Sequence, residues 1–292
     1  MSDCQGWNGR VVRTLFVSDV HLGCRHSQAE PFLEMLEQFE PRELYIVGDF
    51  IDGWKLKRRW RWLPVYDRIL QRLMDLRRRG AQIYYTPGNH DEFLRGFLAN
   101  FGVVEIKDRF VHRTADGRRF LVMHGDQFDT IEQNAQWLSW TASFAYDVLL
   151  STNWLVNRLR GKKADPYAFC GMVKRRVKRL VRHVSEFEDQ LVESARDADC
   201  DGIICGHIHA PRIVDVDGLA YCNTGDWVEN CSALVEYEDG GFHLLRRDGS
   251  VIDELPAVGA ARSNPQAAQP AAGAGCEDDE AQPATAALLA GK

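Results

Sequence analysis

The first 127 residues alternate between short apolar runs and longer segments whose apolar residues recur every three to four positions. The apolar runs have the length of buried strands, and the periodic segments match the apolar face of an amphipathic helix. Strands that alternate with helices predict an α/β fold whose functional residues lie where the strands end. The strands are predicted at 11–17, 44–47, 83–85 and 120–123, and the helices at 28–39 and 64–79.

A different pattern begins after residue 129. Residues 130–197 contain few turn-forming residues, and their apolar side chains keep a helical spacing towards the end of this stretch. We therefore expect a helical insertion over 130–197, within a catalytic domain formed by 10–129 and 198–250. The second part of that domain has predicted strands at 203–205, 212–216, 219–224, 232–237 and 242–246.

The composition is that of a globular protein, with 45% hydrophobic residues and a net charge of −6. Residues 256–292, rich in Ala, Gly, Pro and Gln, are expected to form a disordered tail. Residues 154–183 carry ten Lys and Arg against one acid, and residues 55–62 carry five and no acid. Positive charge that is segregated in this way is typical of proteins that bind a polyanionic partner or a membrane surface. No apolar run reaches about 18 residues, so we expect a soluble, cytoplasmic protein.

Five polar clusters each follow an apolar run that is predicted to be a strand. Residues two apart on an extended segment point the same way, so the D-x-H and H-x-H pairs can each bind one centre. Carboxylate, imidazole and one amide oxygen together suit Mn²⁺, Fe or Zn²⁺ better than Ca²⁺. The eight cysteines form no C-x-x-C pair, which argues against a zinc ribbon. The clusters are Asp19 with His21, Asp49, Asn89 with His90 and Asp91, His124, and His207 with His209.

These clusters, in this order, resemble the calcineurin-like metallophosphoesterases, whose pattern is D-x-H, G-D, G-N-H-D/E, H and G-H-x-H. The resemblance implies a four-layer α/β/β/α sandwich with a helical cap, and two divalent metal ions, with Mn²⁺ expected and Fe or Zn²⁺ as alternatives. It also implies that His90 stabilises the phosphoryl group or protonates the leaving oxygen, and that Asp91 orients His90. The implied ligands are Asp19, His21 and His209 for one metal, Asn89, His124 and His207 for the other, and Asp49 as the bridge.

A narrower resemblance covers residues 12–246 and points to the branch that contains the UDP-2,3-diacylglucosamine pyrophosphohydrolases. It is carried by the segments 18–22, 48–52, 206–211 and 223–227 and by the helical insertion, which in that branch forms a lid over acyl chains. The resemblance implies cleavage of UDP-2,3-diacylglucosamine to UMP and 2,3-diacylglucosamine 1-phosphate in lipid A biosynthesis. His90 and Ala210 replace arginines of the best-known form, so a related nucleotide-linked lipid stays open as the substrate.

Two basic segments fit a lipid substrate. Lys174, Arg175 and Lys178, in the predicted insertion, are expected to bind an anionic diphosphate. Residues 55–62 mix cations with tryptophans, a combination favoured at membrane interfaces. We therefore expect peripheral contact with the cytoplasmic face of the inner membrane, the alternative being that these basic residues only face water.

Three other functions are compatible with parts of the sequence. A soluble phosphomonoesterase or phosphodiesterase would use the same metal ligands but leaves the basic and aromatic segments unexplained. A nuclease would use the basic patches for a phosphate backbone, but no recognisable RNA or DNA module is present, and we expect no nucleic-acid partner. A catalytically inactive scaffold would typically lack ligands, and here every ligand of the pattern is present.

Overall fold

A computed structural model describes residues 10–95, 104–128 and 184–259. Within them, strands and helices alternate as the sequence predicts, and short 3-10 turns occur at Glu92–Leu94 and Asp126–Phe128. The helices are α1 (Ala29–Gln38), α2 (Gly53–Arg58), α3 (Pro64–Arg78) and α4 (184–197). The strands are β1 (Arg10–Val17), β2 (Phe39–Val47), β3 (Gln82–Thr86), β4 (Glu105–Ile106), β5 (Phe110–Arg113), β6 (Arg119–Val122), β7 (Gly202–Cys205), β8 (Arg212–Val216), β9 (Leu219–Asn223), β10 (Ser232–Glu236), β11 (Phe242–Arg246) and β12 (Val251–Leu255).

The described strands form two sheets. The first has seven strands in the order β12-β11-β10-β1-β2-β3-β4, in which β1 to β4 are parallel. The second has five strands in the order β5-β6-β7-β9-β8, in which β6, β7 and β9 are parallel. Parallel strands bring their carboxyl ends to one edge, so each sheet presents a set of strand-end loops along one side.

Three apolar clusters hold the layers together. Phe32 on α1 and Ile69 on α3 pack against one face of the first sheet. Phe16 and Phe120 lie in the cluster between the two sheets. Phe187 on α4 packs against the outer face of the second sheet. Helix, sheet, sheet and helix therefore follow one another, which confirms the predicted four-layer α/β/β/α sandwich.

Helix α3 shows how local sequence sets one of these elements. Pro64 stands at the start of the helix, where its missing N–H costs nothing and its fixed φ favours the helical turn. Val65, Ile69 and Leu73 are buried along one face, as their spacing predicts. The chain leaves the helix through Gly80, whose φ of +105° is accessible to glycine.

The described residues cover only part of each predicted domain, so the predicted boundaries stay a prediction. Residues 129–183, with Lys174, Arg175 and Lys178, lie outside the described residues, as do residues 260–292 of the predicted tail. The end of the predicted insertion, 184–197, is helix α4 and forms the outer layer of the sandwich. Strand β12 extends the first sheet beyond residue 250 by pairing with β11. Among the described helices, none is long and apolar enough to cross a membrane.

Candidate metal centre

The predicted ligands lie in the loops after the parallel strands of both sheets. In the first sheet they follow β1, β2 and β3, and in the second sheet they follow β6 and β7. Because the two sheets are stacked, these loops meet at one edge of the sandwich. The residues brought together there are Asp19 and His21 after β1, Asp49 after β2, Asn89 and His90 after β3, His124 after β6, and His207 and His209 after β7.

The backbone of these loops is unusual. Of the eight described non-glycine residues with positive φ, five are predicted ligands. Such a conformation costs a non-glycine residue on the order of 1–3 kcal/mol and is concentrated at functional sites. Hydrogen bonds between loops hold it, from the N–H of Asp19 to the carbonyl of Gly48 (3.0 Å) and from the N–H of His21 to the carbonyl of Asp49 (2.9 Å). The five ligands are Asp19, His21, Asp49, His207 and His209, with φ of 53°, 51°, 52°, 69° and 53°.

Asp19 is the centre of one half of the cluster. Its Oδ1 lies 3.2 Å from Nε2 of His209 and 3.8 Å from Nε2 of His21. Its Oδ2 accepts a hydrogen bond from the backbone N–H of His207 at 3.0 Å. The ligand atoms of Asp19, His21 and His209 all lie within 4.8 Å of one another and could hold a metal ion. These are the three residues predicted for one metal.

Asp49 lies between the two halves. Its Oδ2 is 3.5 Å from Nε2 of His124, 3.7 Å from Nε2 of His21 and 4.0 Å from Nε2 of His90. The Nδ1 of His124 is 2.9 Å from the carbonyl oxygen of Val47. Because a carbonyl can only accept, this contact places the proton on Nδ1 and leaves the Nε2 lone pair facing Asp49. That is the arrangement of a metal-binding imidazole.

Two buried polar groups test whether the cluster fits a metal. Asn89 is 7% exposed, and neither its Oδ1 nor its Nδ2 has a hydrogen-bond partner among the described residues. Nε2 of His124 is likewise buried and makes no hydrogen bond within the described part of the chain, with Oδ2 of Asp49 3.5 Å away. A buried group left in this way costs about 1–3 kcal/mol. Since an amide oxygen and an imidazole nitrogen are both metal ligands, the residues fit the divalent ions that the pattern implies.

Glycines next to the ligands allow a close approach. A Cβ on Gly88 would lie 2.6 Å from Nε2 of His124, and a Cβ on Gly206 would lie 2.5 Å from Oδ2 of Asp19. Both distances are shorter than any real Cβ contact. The glycines of the G-N-H-D and G-H-x-H motifs are therefore needed because the backbone itself packs against the ligand atoms.

The electrostatics of the cluster favour cations. Burial opposes ionisation of Asp49, but its neighbours, first of all His124, hold the pKa of this carboxyl below its usual range. Burial lowers the pKa of His209, but the charge of Asp19 outweighs it and raises that pKa to about 9. Two ionised carboxylates buried among histidines attract positive charge, and divalent cations would take the place of those protons.

His90 is supported by the first turn of α2. Its Nδ1 lies 3.2 Å from Oδ1 of Asp52, and the same oxygen accepts a hydrogen bond from the N–H of Lys55 at 2.9 Å, capping the helix. The indole of Trp54 lies against the imidazole, with the ring centroids 4.2 Å apart. The N–H of Gly53 donates to the carbonyl of His90 at 3.0 Å. Asp52 and Trp54 were missed by the sequence analysis, although Asp52 stands at the position of an N-cap.

Asp91 is buried and accepts hydrogen bonds from two loops of the site. Its Oδ1 accepts a hydrogen bond from the N–H of Gly88 at 2.6 Å, and its Oδ2 accepts one from the N–H of Phe50 at 2.8 Å and one from the Tyr85 hydroxyl. Burial and the nearby charge of Asp49 raise the pKa of Asp91 to about 6, against the opposing effect of the Tyr85 hydroxyl. Asp91 therefore ties the loops after β2 and β3 together. The carboxylate 3.2 Å from Nδ1 of His90 belongs to Asp52, and the orientation of His90 by Asp91 stays a prediction.

This fold and this cluster define the class of metal-dependent hydrolases that act on phosphate esters. A model of the calcineurin-like phosphoesterase family matches residues 12–211, and the chain belongs to that family.

Curated relatives extend over most of the chain. The UDP-2,3-diacylglucosamine hydrolase of Vibrio cholerae is 27% identical over 255 residues, which cover 81% of this chain and 98% of the relative. The enzyme of the same name from Aeromonas salmonicida is 30% identical over 235 residues, covering 76% of this chain and 89% of the relative. A solved structure of a Vps29 mutant from Entamoeba histolytica covers 83% of this chain and 97% of its own, at 16% identity and a TM-score of 0.44.

Proposed function

We propose that the protein hydrolyses the pyrophosphate bond of UDP-2,3-diacylglucosamine, or of a closely related nucleotide-linked lipid, in lipid A biosynthesis. In this reaction the hydroxyl of water is added to one phosphorus, the bridging P–O bond breaks, and the products are UMP and the lipid 1-phosphate. The observation that carries the proposal is the cluster around Asp49, with the buried and unpartnered amide of Asn89 at its edge. The curated relatives of that name support the choice of substrate.

The ligands divide into two sets in this proposal. Two divalent cations, when bound, supply the positive charge that holds the phosphoryl oxygens and activates water for attack. Mn²⁺ is the ion we favour, with Fe or Zn²⁺ as alternatives, because the donors mix carboxylate, imidazole and amide. One ion would be held by Asp19, His21 and His209 and the other by Asn89, His124 and His207, and Asp49 would be shared between them.

His90 supplies the group that acts on the substrate directly. Its Nδ1 faces Asp52 at 3.2 Å, so this carboxylate holds a proton on Nδ1 and fixes the orientation of the ring. The opposite nitrogen, Nε2, then points toward Oδ2 of Asp49 at the edge of the ligand cluster. From that position it can donate a hydrogen bond to a phosphoryl oxygen or a proton to the leaving oxygen.

The remaining parts of the proposal concern the lipid. Lys174, Arg175 and Lys178 are proposed to bind the diphosphate, in a helical insertion that covers the acyl chains. That insertion runs within 130–197, and its described end, 184–197, packs on the second sheet. A peripheral contact with the cytoplasmic face of the inner membrane would give access to the substrate. These elements rest on the sequence pattern and on the relatives.

The test is release of UMP from UDP-2,3-diacylglucosamine in the presence of Mn²⁺, beside UDP-glucosamine without acyl chains and a chromogenic aryl phosphodiester. The proposal predicts cleavage of the acylated substrate, loss of activity on chelation, and at least about tenfold slower cleavage of the unacylated one.

Two outcomes would decide against it. Equal cleavage of both nucleotides would remove the lipid from the assignment. Cleavage of the aryl ester alone would favour the second candidate, a soluble phosphodiesterase, which the replacement of arginine by His90 and Ala210 also favours.

A further inference from the structure

Among the described residues, three aromatic side chains are exposed to solvent. Trp54 is 49% exposed, Trp60 is 74% exposed and Phe93 is 49% exposed, and no other described aromatic residue is classed as exposed. Phe93 lies against Gly53, because a Cβ on that glycine would be 2.7 Å from its ring. Trp54 lies against His90. Trp54 and Phe93 therefore lie at the rim of the candidate metal centre, and Trp60 follows in the same segment of the chain.

The exposure of Trp60 is fixed by its neighbours. Its ring stacks on that of Trp62, with the centroids 5.8 Å apart and the planes inclined by 16°. Trp62 in turn donates a hydrogen bond from Nε1 to Asp67 at 2.8 Å and packs edge-on against Tyr66 of α3. The stacked rings of Trp60 and Trp62 form an apolar patch rather than a single scattered side chain, and such patches mark interaction surfaces.

Cations surround these rings. All five Lys and Arg residues of 53–62 are exposed, the segment has no acid, and none of the five forms an ion pair with the described residues. Positive charge reaches the neighbouring loop as well, because the pKa of His26 is lowered, first by partial burial and then by Arg25 and Lys55. The five cations are Lys55, Lys57, Arg58, Arg59 and Arg61.

We propose that the rim surface, defined as residues 53–62 with Phe93, docks the protein onto a bilayer of anionic phospholipids. Indole rings settle at the level of the headgroups, and the long cationic side chains reach the phosphates around them. Because Trp54 touches both this surface and His90, docking places the mouth of the metal centre against the bilayer. This surface rests on the proposed function, because only a lipid substrate requires the protein to meet a membrane. It adds to that function the part of the protein that contacts the bilayer.

Vesicle binding tests this without any substrate. The full-length protein is sedimented with vesicles of phosphatidylcholine containing a third phosphatidylglycerol, and with vesicles of phosphatidylcholine alone. We expect binding to the anionic vesicles that weakens with salt. Since each cation near such a surface contributes about 1 kcal/mol, the double variant Arg58→Glu/Arg59→Glu should bind at least about tenfold more weakly. Trp60→Ser should weaken binding severalfold.

The matched control is Arg246→Glu/Arg247→Glu, the same charge reversal at another exposed pair, beyond the rim surface. It should bind within about twofold of the unchanged protein, given that a surface potential falls off within a Debye length. The proposal would be overturned if both double variants weakened vesicle binding equally, or if neither changed it. It would also be overturned if the protein bound single-stranded RNA as tightly as it binds the anionic vesicles. Hydrolysis of the water-soluble aryl ester, measured without vesicles, should be unchanged in all three variants. Failure of the unchanged protein to release UMP from UDP-2,3-diacylglucosamine would instead count against the proposed function.

Discussion

The part of the protein that the structure describes has two buried clusters of histidine and carboxylate, and they differ in whether their polar groups are paired. Between the two sheets, His112 lies 2.8 Å from Glu236 and 3.3 Å from Glu43. Glu236 also accepts hydrogen bonds from Thr14 at 2.6 Å and from the N–H of Ala115 at 2.9 Å. We call these residues, with Arg13, the inter-sheet cluster.

In the metal centre the pairing is incomplete and the backbone is strained. Asn89 has no hydrogen-bond partner among the described residues, and Asp49 is one of five ligands with positive φ. In the inter-sheet cluster the ionisable side chains lie on regular strands and find partners in the protein itself. The difference teaches that burial of histidine and carboxylate does not by itself mark a site. Unpaired ligand atoms on a strained backbone do, because a bound ion is then the missing partner.

The largest expected effect is a loss of activity when a predicted ligand of the bound ion is removed. Asn89→Ala should lower hydrolysis of the aryl ester by on the order of 100-fold or more, the range found when metal affinity is disturbed. In metal-free protein the same change should leave the midpoint of urea unfolding unchanged or raise it, since it removes an unpaired buried amide.

Asn223→Ala is the matched control for Asn89→Ala. Asn223 is also buried, but its Nδ2 donates to the carbonyl of Gly206 at 2.8 Å and its Oδ1 accepts from the N–H of Gly225 at 2.9 Å. This change should destabilise metal-free protein by about 1–3 kcal/mol. If Asn89→Ala destabilised metal-free protein as much as Asn223→Ala, then Asn89 would not be the unpaired amide that the contrast between the two clusters requires.

The next effect separates Asp52 from Asp91. Asp52→Asn keeps an acceptor that can cap α2 but loses the charge beside His90, so kcat should fall about 10- to 100-fold with little change in stability. Asp91→Ala should leave four donors without this acceptor and destabilise the protein by at least about 3 kcal/mol. Measuring kcat and urea unfolding for both variants checks this, and a stability loss in Asp52→Asn with full kcat would reverse the assignment.

The inter-sheet cluster should respond in stability alone. His112→Phe leaves the carboxylate of Glu236 buried beside an apolar ring, which should cost about 3 kcal/mol in unfolding free energy. Turnover of the aryl ester below the unfolding transition should stay within about twofold, since activity follows the site and not the distant core. A large loss of turnover in folded His112→Phe would show that the two clusters are coupled.

The smallest effect is a pH dependence of stability. Burial lowers the pKa of His112, but Glu236 and Glu43 outweigh it and raise that pKa above the ordinary value of 6.5. The stabilisation is therefore complete below pH ~6.5 and is lost as the pH rises through the folded-state pKa. The stability difference between the unchanged protein and His112→Phe, measured by urea unfolding at a series of pH values, should shrink at alkaline pH. A difference that grows with pH would contradict the sign.

The sequence was sufficient for the layers and for which polar residues meet at the edge of the sandwich, because each predicted ligand directly follows an apolar run that becomes a strand. Asp19, Asp49 and His124 could be found in this way. The partner of His90 could not, because Asp91 is its neighbour in the chain while Asp52 reaches it only through the fold of α2. The exposure of Trp60 also depends on folding, since it requires the stack on Trp62.

Strand β12 shows a second limit of sequence patterns. It lies at the edge of the first sheet with a mixed exposure, so its sequence, VIDEL, lacks the clear apolar run of a central strand. The positive φ of Asp49 could not be predicted from the sequence either, because it depends on hydrogen bonds between loops that are distant in the chain.

The central claim is that the cluster around Asp49 holds two divalent metal ions, one on each side of that carboxylate. Metal-free protein dialysed against Mn²⁺, followed by measurement of bound metal per chain, tests it directly, with Asp49→Ala and Asn89→Ala dialysed alongside. The account predicts two ions per chain in the unchanged protein and a loss of bound metal in both variants. No retained metal in the unchanged protein, or two ions retained by both variants, would contradict it.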